Sequence, residues 1–279
     1  MDREITNDLG KYCRPMRGLA HGNRSVQKEL DIILLTHNNV IDARHCMEAL
    51  YQNTHIKFWV TVIDDSTDET PAYFMELAKE KRNINYVRPD VHIKIANQAI
   101  NIGLGLTKSD PVAFLTCTTF VGPDWLGPKT PPGISPFAIR LMENDPKVGL
   151  VGFKVVSPET NLIIEAGDDV LPDGSPVNCG SGASPEEFTY VKGVKAIGCC
   201  AFLMRRAAVP KGGWDEDTYI GFRCVEDLDN CLSIVEKGWK ILYNGMACVY
   251  HQPSSSSGSD GGNQENYNRF KGKWNGEYQ

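Results

Sequence analysis

Apolar residues in the first half of the chain come in short unbroken runs separated by amphipathic or polar stretches. Residues 30-LDIILLT-36 and 58-FWVTVID-64 are too short for typical helices and rich in Ile, Leu and Val, as expected of strands buried on both faces. Helical spacing over 41-IDARHCMEALYQN-53 predicts a helix between them. In 64-DDSTDETP-71 the second run stops abruptly; Thr70 is positioned to cap a helix and Pro71 to occupy its first position, with the helix covering Ala72 to about Lys81. A strand over 84-INYVRP-89, a helix from Ile95 to Leu106 and a strand over 112-VAFLT-116 complete the series.

Strand and helix thus alternate three times, the signature of a parallel sheet covered by helices. In such sheets ligands collect outside the carboxyl ends of the strands. Three polar clusters fall there: 36-THNN-39, 64-DDSTD-68 and 116-TCTT-119.

The second half changes character. A helix over 134-ISPFAIRLMEND-145 is followed by strands over 148-VGLVGFKVV-156, 161-NLIIEAG-167 and 195-KAIGCCAFLMRR-206. Between them, 171-LPDGSPVNCGSGASPEE-187 is long for a loop in a compact domain, which marks it as mobile or functional. In 226-EDLDNCLSIVEKG-238, Leu228, Cys231, Leu232 and Val235 recur at helical spacing, Gly238 is a stop, and Glu226, Asp227 and Asp229 crowd the first turn. A last strand, 246-MACVYH-251, ends at His251. Residues 253-PSSSSGSDGGNQ-264 have the composition of a flexible linker, and 267-YNRFKGKW-274 that of a small aromatic and basic anchor.

Composition narrows the function classes. With 279 residues, 41% hydrophobic, the chain can bury one large core or two small ones. A net charge of −6 disfavours broad contact with a nucleic-acid backbone and leaves nucleic-acid modification a subsidiary option. No apolar run is long enough for a signal peptide or a membrane span, and the nine cysteines form no C-x-x-C pair, so a cytoplasmic protein with reduced thiols is expected. Neither a dinucleotide nor a P-loop fingerprint occurs: Gly103-Leu104-Gly105 is followed by Lys108 where a glycine is needed.

The ordered set 32-IILLTHNN-39, 63-IDDSTDET-70, 101-NIGLGLTKSDPVAFL-115, 120-FVGPDWL-126, 198-GCCAFLMRR-206, 213-GWDEDTYIGF-222, 226-EDLD-229, 238-GWKILY-243 and His251 resembles family 2 glycosyltransferases of the GT-A fold. The tail 270-FKGKW-274 resembles the ending of rhamnosyltransferase-type members, and the resemblance runs from about residue 29 to 274. It implies an α/β, Rossmann-like GT-A fold: a mainly parallel sheet flanked by helices, with a smaller mixed half on the acceptor side. The implied domain covers residues 29–252, with a nucleotide-binding half at 29–126 and an acceptor half at 127–252. Residues 1–28 precede it as an extension, and linker and anchor follow.

The implied activity is sugar transfer from a UDP- or dTDP-sugar to a hydroxyl acceptor such as a glycan, generally with inversion. By resemblance, Thr36, His37, Asn38, Asp64, Asp65, Asn101, Thr116, Cys117 and Thr118 surround the nucleotide, one of the two aspartates accepting the ring N–H of uracil or thymine. Asp227, beside Glu226, takes the acceptor proton as its oxygen attacks the anomeric carbon. Trp214, Asp215 and Asp229 line the sugar sites, and Thr118 and His251 are candidate metal ligands. Plainer explanations stand beside each. The aspartate turn can simply cap a helix, acids are favoured at a helix start by the dipole, and a lone Trp is more often core.

One departure from the family pattern is plain. Where the family carries Asp-x-Asp for Mn²⁺ or Mg²⁺, this chain has Thr116-Cys117-Thr118, and hydroxyls replace charged oxygen donors poorly. Three outcomes are open. The ion is weakly held by the diphosphate itself with His251, Thr118 or Asp229 helping; side-chain cations such as Lys94, Arg205 or Lys273 replace it as the 171–187 loop closes; or transfer has been lost, leaving a silent sugar-nucleotide or glycan-binding protein.

Overall fold

A computed structural model of the chain describes residues 29–219, 225–252 and 264–274. The N-terminal extension, residues 220–224 and residues 253–263 of the expected linker lie outside the described residues. The first half alternates as its pattern predicts: β1 (Leu30–Thr36), α1 (Val40–Asn53), β2 (Phe58–Asp64), α2 (Thr70–Glu80), β3 (Ile84–Val87), α3 (Ala96–Leu106) and β4 (Val112–Thr116). There follow β5 (Thr119–Val121), α4 (Phe137–Asn144), β6 (Val148–Val156), β7 (Ile163–Glu165), β8 (Asp168–Val170), β9 (Pro176–Asn178), β10 (Val191–Val194), β11 (Ala201–Met204), α5 (Glu226–Glu236), β12 (Lys240–His251) and α6 (Gln264–Trp274).

One sheet carries the fold, in the order β10-β12-β6-β11-β4-β1-β2-β3, with β5 added to β12 and β7 to β6. Strands β1 to β4 are mutually parallel, β11 is antiparallel to both its neighbours, and β12 is parallel to β6. It follows that β1, β2, β3, β4, β6 and β12 all direct their carboxyl ends to the same edge. The strand order reverses between β1 and β4, which is where open α/β sheets form a crevice.

Burial explains the unbroken apolar runs. Leu30, Ile32 and Leu34 pack on one face with Met47, Leu50 and Phe74, whereas Ile33 and Leu35 pack on the other with Ile100, Phe114 and Phe202. Strand β1 is therefore buried at every position, which only a near-continuous apolar sequence tolerates. Phe270 and Trp274 of α6 enter the second of these clusters. Among the described residues no helix is long and apolar enough to cross a membrane.

Several local expectations need correction. Thr70 is the first residue of α2 rather than its cap; its N–H is taken by the Asp68 carboxylate at 2.9 Å. The strand expected over residues 195–206 shortens to Ala201–Met204, because residues 195–200 turn across the end of β4 and Cys200 O accepts the Thr116 N–H. Helix α4 starts at Phe137, after Pro136, and on α5 the inward residue is Ile234, leaving Val235 exposed. The 171–187 loop carries the turn and second strand of a built feature, the hairpin β8–β9, with Gly174 of the turn in the left-handed region (φ 84°).

Gly103 lacks a phosphate-binding context and has a packing one: a Cβ there would lie 2.4 Å from Ile33 Cγ2, inside the α3–β1 contact. Gly103→Val is therefore expected to destabilise the protein by about 1–3 kcal/mol through overpacking. A denaturant midpoint equal to wild type contradicts this close approach.

Candidate active site

The crevice begins where β1 and β2 end. The Asp64 carboxylate is fully buried and satisfied from within: Thr36 Oγ1 donates to it at 2.7 Å, Ser66 N at 3.0 Å and Tyr86 Oη at 2.6 Å, with Arg88 3.8 Å away. Burying a carboxylate without such partners is costly, so these donors fix the turn. Asp65 is different. Its Oδ2 accepts the Ile93 N–H at 2.8 Å and lies 2.5 Å from His92 Nδ1, while Oδ1 has no partner among the described residues.

The neighbouring turn is fixed through Asn38. Residues Asn38 and Asn39 both adopt positive φ (58° and 66°), the conformation Asn tolerates best after Gly. The Asn38 side-chain carbonyl accepts the N–H groups of Thr67 (2.8 Å) and Asp68 (3.3 Å), and its own N–H donates to Ser66 Oγ. Asn38 thereby staples the β1 turn to the β2 turn. His37 is left beside Asp65, its Nδ1 3.0 Å from the Asp65 carbonyl and its ring 6.0 Å from that of His92.

Across the strand-order reversal lies the Thr-Cys-Thr segment. Thr116 Oγ1 is 3.3 Å from Thr118 Oγ1 and 2.8 Å from Thr119 Oγ1, and the Cys117 N–H bonds Leu35 O. His251, at the end of β12, pairs in register with Thr119, and the next residue bonds Thr118 O through its N–H. His251 is therefore adjacent to the segment. A divalent hard cation prefers charged oxygens, yet these hydroxyls bond each other and burial pushes the Cys117 thiol up to about 11, which keeps it neutral. Among the described residues no three His, Cys, Asp or Glu side chains gather as a metal cluster. The donor set does not fit an Mn²⁺ or Mg²⁺ held by protein side chains.

Asp227 enters the same edge through β11. Because β11 is reversed, residues 198–200 lie at the carboxyl end of β4, and Asp227 takes a hydrogen bond from the Cys199 N–H there. Burial pushes Asp227 up to about 6, opposed by backbone N–H groups of Leu228, Asp227 and Cys199. Beside it lie two acids the sequence reading passed over. Glu165, buried at the end of β7, accepts the Gly198 N–H at 2.7 Å and is pushed up to about 7, by burial and then by Asp227. Asp168 is raised to about 9 by burial, Glu165 and Asp227 together. Glu165 carried a signal: an acid closing the apolar run 161-NLIIEAG-167.

Other residues singled out in the sequence are engaged within the chain. Asn101 exchanges hydrogen bonds with Trp214, from Nδ2 to Trp214 O (2.9 Å) and from Trp214 N to Oδ1 (2.8 Å), and also donates to Glu216. It therefore clamps the 214–218 turn. Trp214 is only 4% exposed and floors a small cavity beneath Asp227, with Leu150, Cys199 and Phe202. The Asp215 carboxylate closes its own turn on Asp217 N, Thr218 N and Thr218 Oγ1, and both Asp229 oxygens are held by α6. Arg205 donates to Val148 O and Met142 O at the opposite edge of the sheet, and Lys273 pairs with Asp229 and Asp215. Of the three candidate cations, only Lys94, exposed next to Ile93, is left near the crevice without an ion pair among the described residues.

No protein-family model matches the chain. Over 140 residues, 50% of this chain, it is 28% identical to a hyaluronan synthase of Pasteurella multocida, of which the match covers 14%. Among solved structures it is similar to GalNAc-T7 with UDP, GalNAc and Mn²⁺ (TM-score 0.64, 14% identity, 90% of this chain and 49% of that one). It is also similar to the mannosyltransferase PcManGT from Pyrobaculum calidifontis in complex with GDP-Man and Mn²⁺ (0.57, 15%, 81% and 57%) and to S. aureus TarS 1-349 (0.53, 14%, 80% and 60%). The chain spans about half the length of the first of these and 60% or less of the others. These likenesses establish the fold: an α/β, Rossmann-like GT-A fold with a mixed, mainly parallel sheet and flanking helices.

The raised carboxyls have a thermodynamic consequence. Glu165 keeps its proton in the folded protein up to about 7, against 4.5 in the unfolded chain, so between those values the native state binds more protons. Stability is therefore expected to fall as pH rises through that window, with Asp227 and Asp168 acting in the same direction. Thermal melts should show a shallower fall in Glu165→Gln; equal slopes contradict the placement of these acids.

Proposed function

We propose that the chain is an inverting family 2 glycosyltransferase that moves a sugar from a UDP- or dTDP-sugar to a hydroxyl acceptor, with Asp227 as general base. One observation carries the reading: a single sheet edge presents Asp65, with an uncommitted oxygen, on one side of β4, and the raised carboxyl of Asp227 on the other. Asp65 is the carboxylate to accept a pyrimidine ring N–H, since Asp64 is already saturated; Thr36 and Asn38 hold its turn and His37 borders it. The likeness to a GT-A structure holding UDP and GalNAc, and to a hyaluronan synthase, supports a nucleotide-sugar donor and a glycan acceptor.

In this reading residues 29–126 form the donor half and 127–252 the acceptor half. The acceptor hydroxyl attacks the anomeric carbon as its proton passes to Asp227, and the bond to the diphosphate oxygen breaks with its electron pair leaving on the nucleotide. A carboxyl near 6 is mostly ionised at neutral pH, as a base must be, yet more basic than an exposed aspartate. Glu226, buried beside it, starts the same helix. Any Mn²⁺ or Mg²⁺ would be held chiefly by the donor diphosphate, whose charge it would neutralise, and Lys94 supplies positive charge near the crevice. Free thiols at all the described cysteines support a cytoplasmic site of action.

The Thr-Cys-Thr segment favours a second reading, a silent sugar-nucleotide or glycan-binding protein on this fold. Turnover separates the two. Release of nucleoside diphosphate from a panel of nucleotide sugars is expected for wild type and should fall by about 10²–10⁴ in Asp227→Asn, with nucleotide binding retained. A wild type that binds nucleotide and never releases product identifies the second reading; an Asp227→Asn variant as fast as wild type removes Asp227 as base. Asp65→Asn should weaken binding of the pyrimidine diphosphate by about tenfold or more, measured by titration, and unchanged affinity removes Asp65 from the base pocket.

A further inference from the structure

We propose that α6 is a positioning strap for the general base, acting through Lys273 and Trp274 on Asp229; this rests on the assignment of Asp227 above. The Asp229 carboxylate is 1% exposed, and α6 supplies a donor to each of its oxygens: Trp274 Nε1 to Oδ1 at 2.7 Å and Lys273 Nζ to Oδ2 at 2.7 Å. A buried carboxylate with both oxygens held by one helix, one bond being charge-assisted, is a stiff joint. Asp229 stands two residues beyond Asp227 in the first turn of α5, about 200° around the helix axis. The strap thus grips the back of the turn whose front carries Asp227.

The turn is held on another side as well. Asn230 Nδ2 donates to Asn97 Oδ1 at 2.7 Å, fixing the turn to α3, while Leu228 packs in the core below. Three consecutive residues, Leu228 to Asn230, therefore tie the first turn to the core, to α6 and to α3. Helix α6 reaches further: Arg269 donates to Thr218 O at 2.7 Å, Tyr267 Oη to Ser175 Oγ at 2.8 Å, and Lys273 lies 3.7 Å from Asp215. One helix so joins the base turn, the 214–218 turn and the β8–β9 hairpin, all in the acceptor half. These contacts all lie in the acceptor half, away from the turns around Asp65, so loosening them should leave nucleotide binding alone.

The test uses the full chain with Trp274→Phe, which keeps the ring packing and removes the N–H, and Lys273→Met, which keeps the stem and removes the charge. Each is titrated with nucleoside diphosphate to count folded donor sites, and kcat is taken per such site. A displaced base predicts kcat lower by about tenfold or more, donor KM and nucleotide affinity within about twofold, and recovery in Lys273→Arg. Helix α6 acting only as a fold stabiliser predicts fewer donor sites with wild-type kcat per site, and that result overturns the strap. Asp227→Asn serves as the reference. If it turns over like wild type the base assignment fails, whereas an inactive Asp227→Asn beside wild-type kcat in both α6 variants sinks the strap alone.

Discussion

The site depends on β1 being paired on both edges. Its in-register partners set Thr36 level with Asp64 on one side and Leu35 level with Thr116 on the other, so three polar turns emerge together at one edge. That pairing requires a strand buried on both faces, apolar from Ile32 to Leu35, with Asp31 near its start admitted because the Lys108 and Ser109 N–H groups satisfy it. At its last residue Thr36 donates to Asp64, and the buried carboxylate in turn orders the backbone of Ser66. Asp65 is presented as a by-product: with Asp64 saturated, the next carboxylate is the one that faces the crevice.

A second constraint holds the later half of the chain to this frame. Asn97 and Asn101 of α3 reach the 214–218 turn and α5 through amide hydrogen bonds, and fully satisfied buried amides of this kind specify one arrangement. Gly213 is needed in the same place, because its φ is 95° and a Cβ would meet Asn101 Oδ1 at 2.7 Å. Between the frame and this clamp the edge is rich in acids and poor in cations. Lys94 and the histidines near Asp65 lie on one side of it and a set of carboxyls raised by burial on the other. Burial raises both Glu165 and Asp168, which lowers the negative charge at this edge near neutral pH.

Legibility from sequence followed the range of the interactions. Strands β1, β2, β4 and β6 were readable to the residue because full burial writes itself as an apolar run, and the acids at the start of α5 were readable because they are consecutive. The β8–β9 hairpin was not, since β9 is three residues long, starts at a proline and is exposed throughout, so burial leaves no pattern in it. The hydrogen-bond partners of Asn101 are not legible because they lie 113 and 115 residues away, nor are those of Asp229, 44 and 45 residues away on α6. Glu165 and Asp168 were missed for the same reason, their nearness to Asp227 being created only by the reversal of β11.

Calorimetric titration is the most direct test of whether the crevice takes a nucleoside diphosphate with the ion carried on it. Mn²⁺ alone, then UDP, dTDP and GDP with Mn²⁺, and then the same nucleotides in EDTA would be titrated into the full chain. A crevice read by Asp65 and without a metal cluster predicts no binding of Mn²⁺ alone and clear binding of a pyrimidine diphosphate when the ion accompanies it. Tight binding of Mn²⁺ in the absence of nucleotide would contradict the metal reading, and no binding of any nucleotide under either condition would contradict the donor site itself.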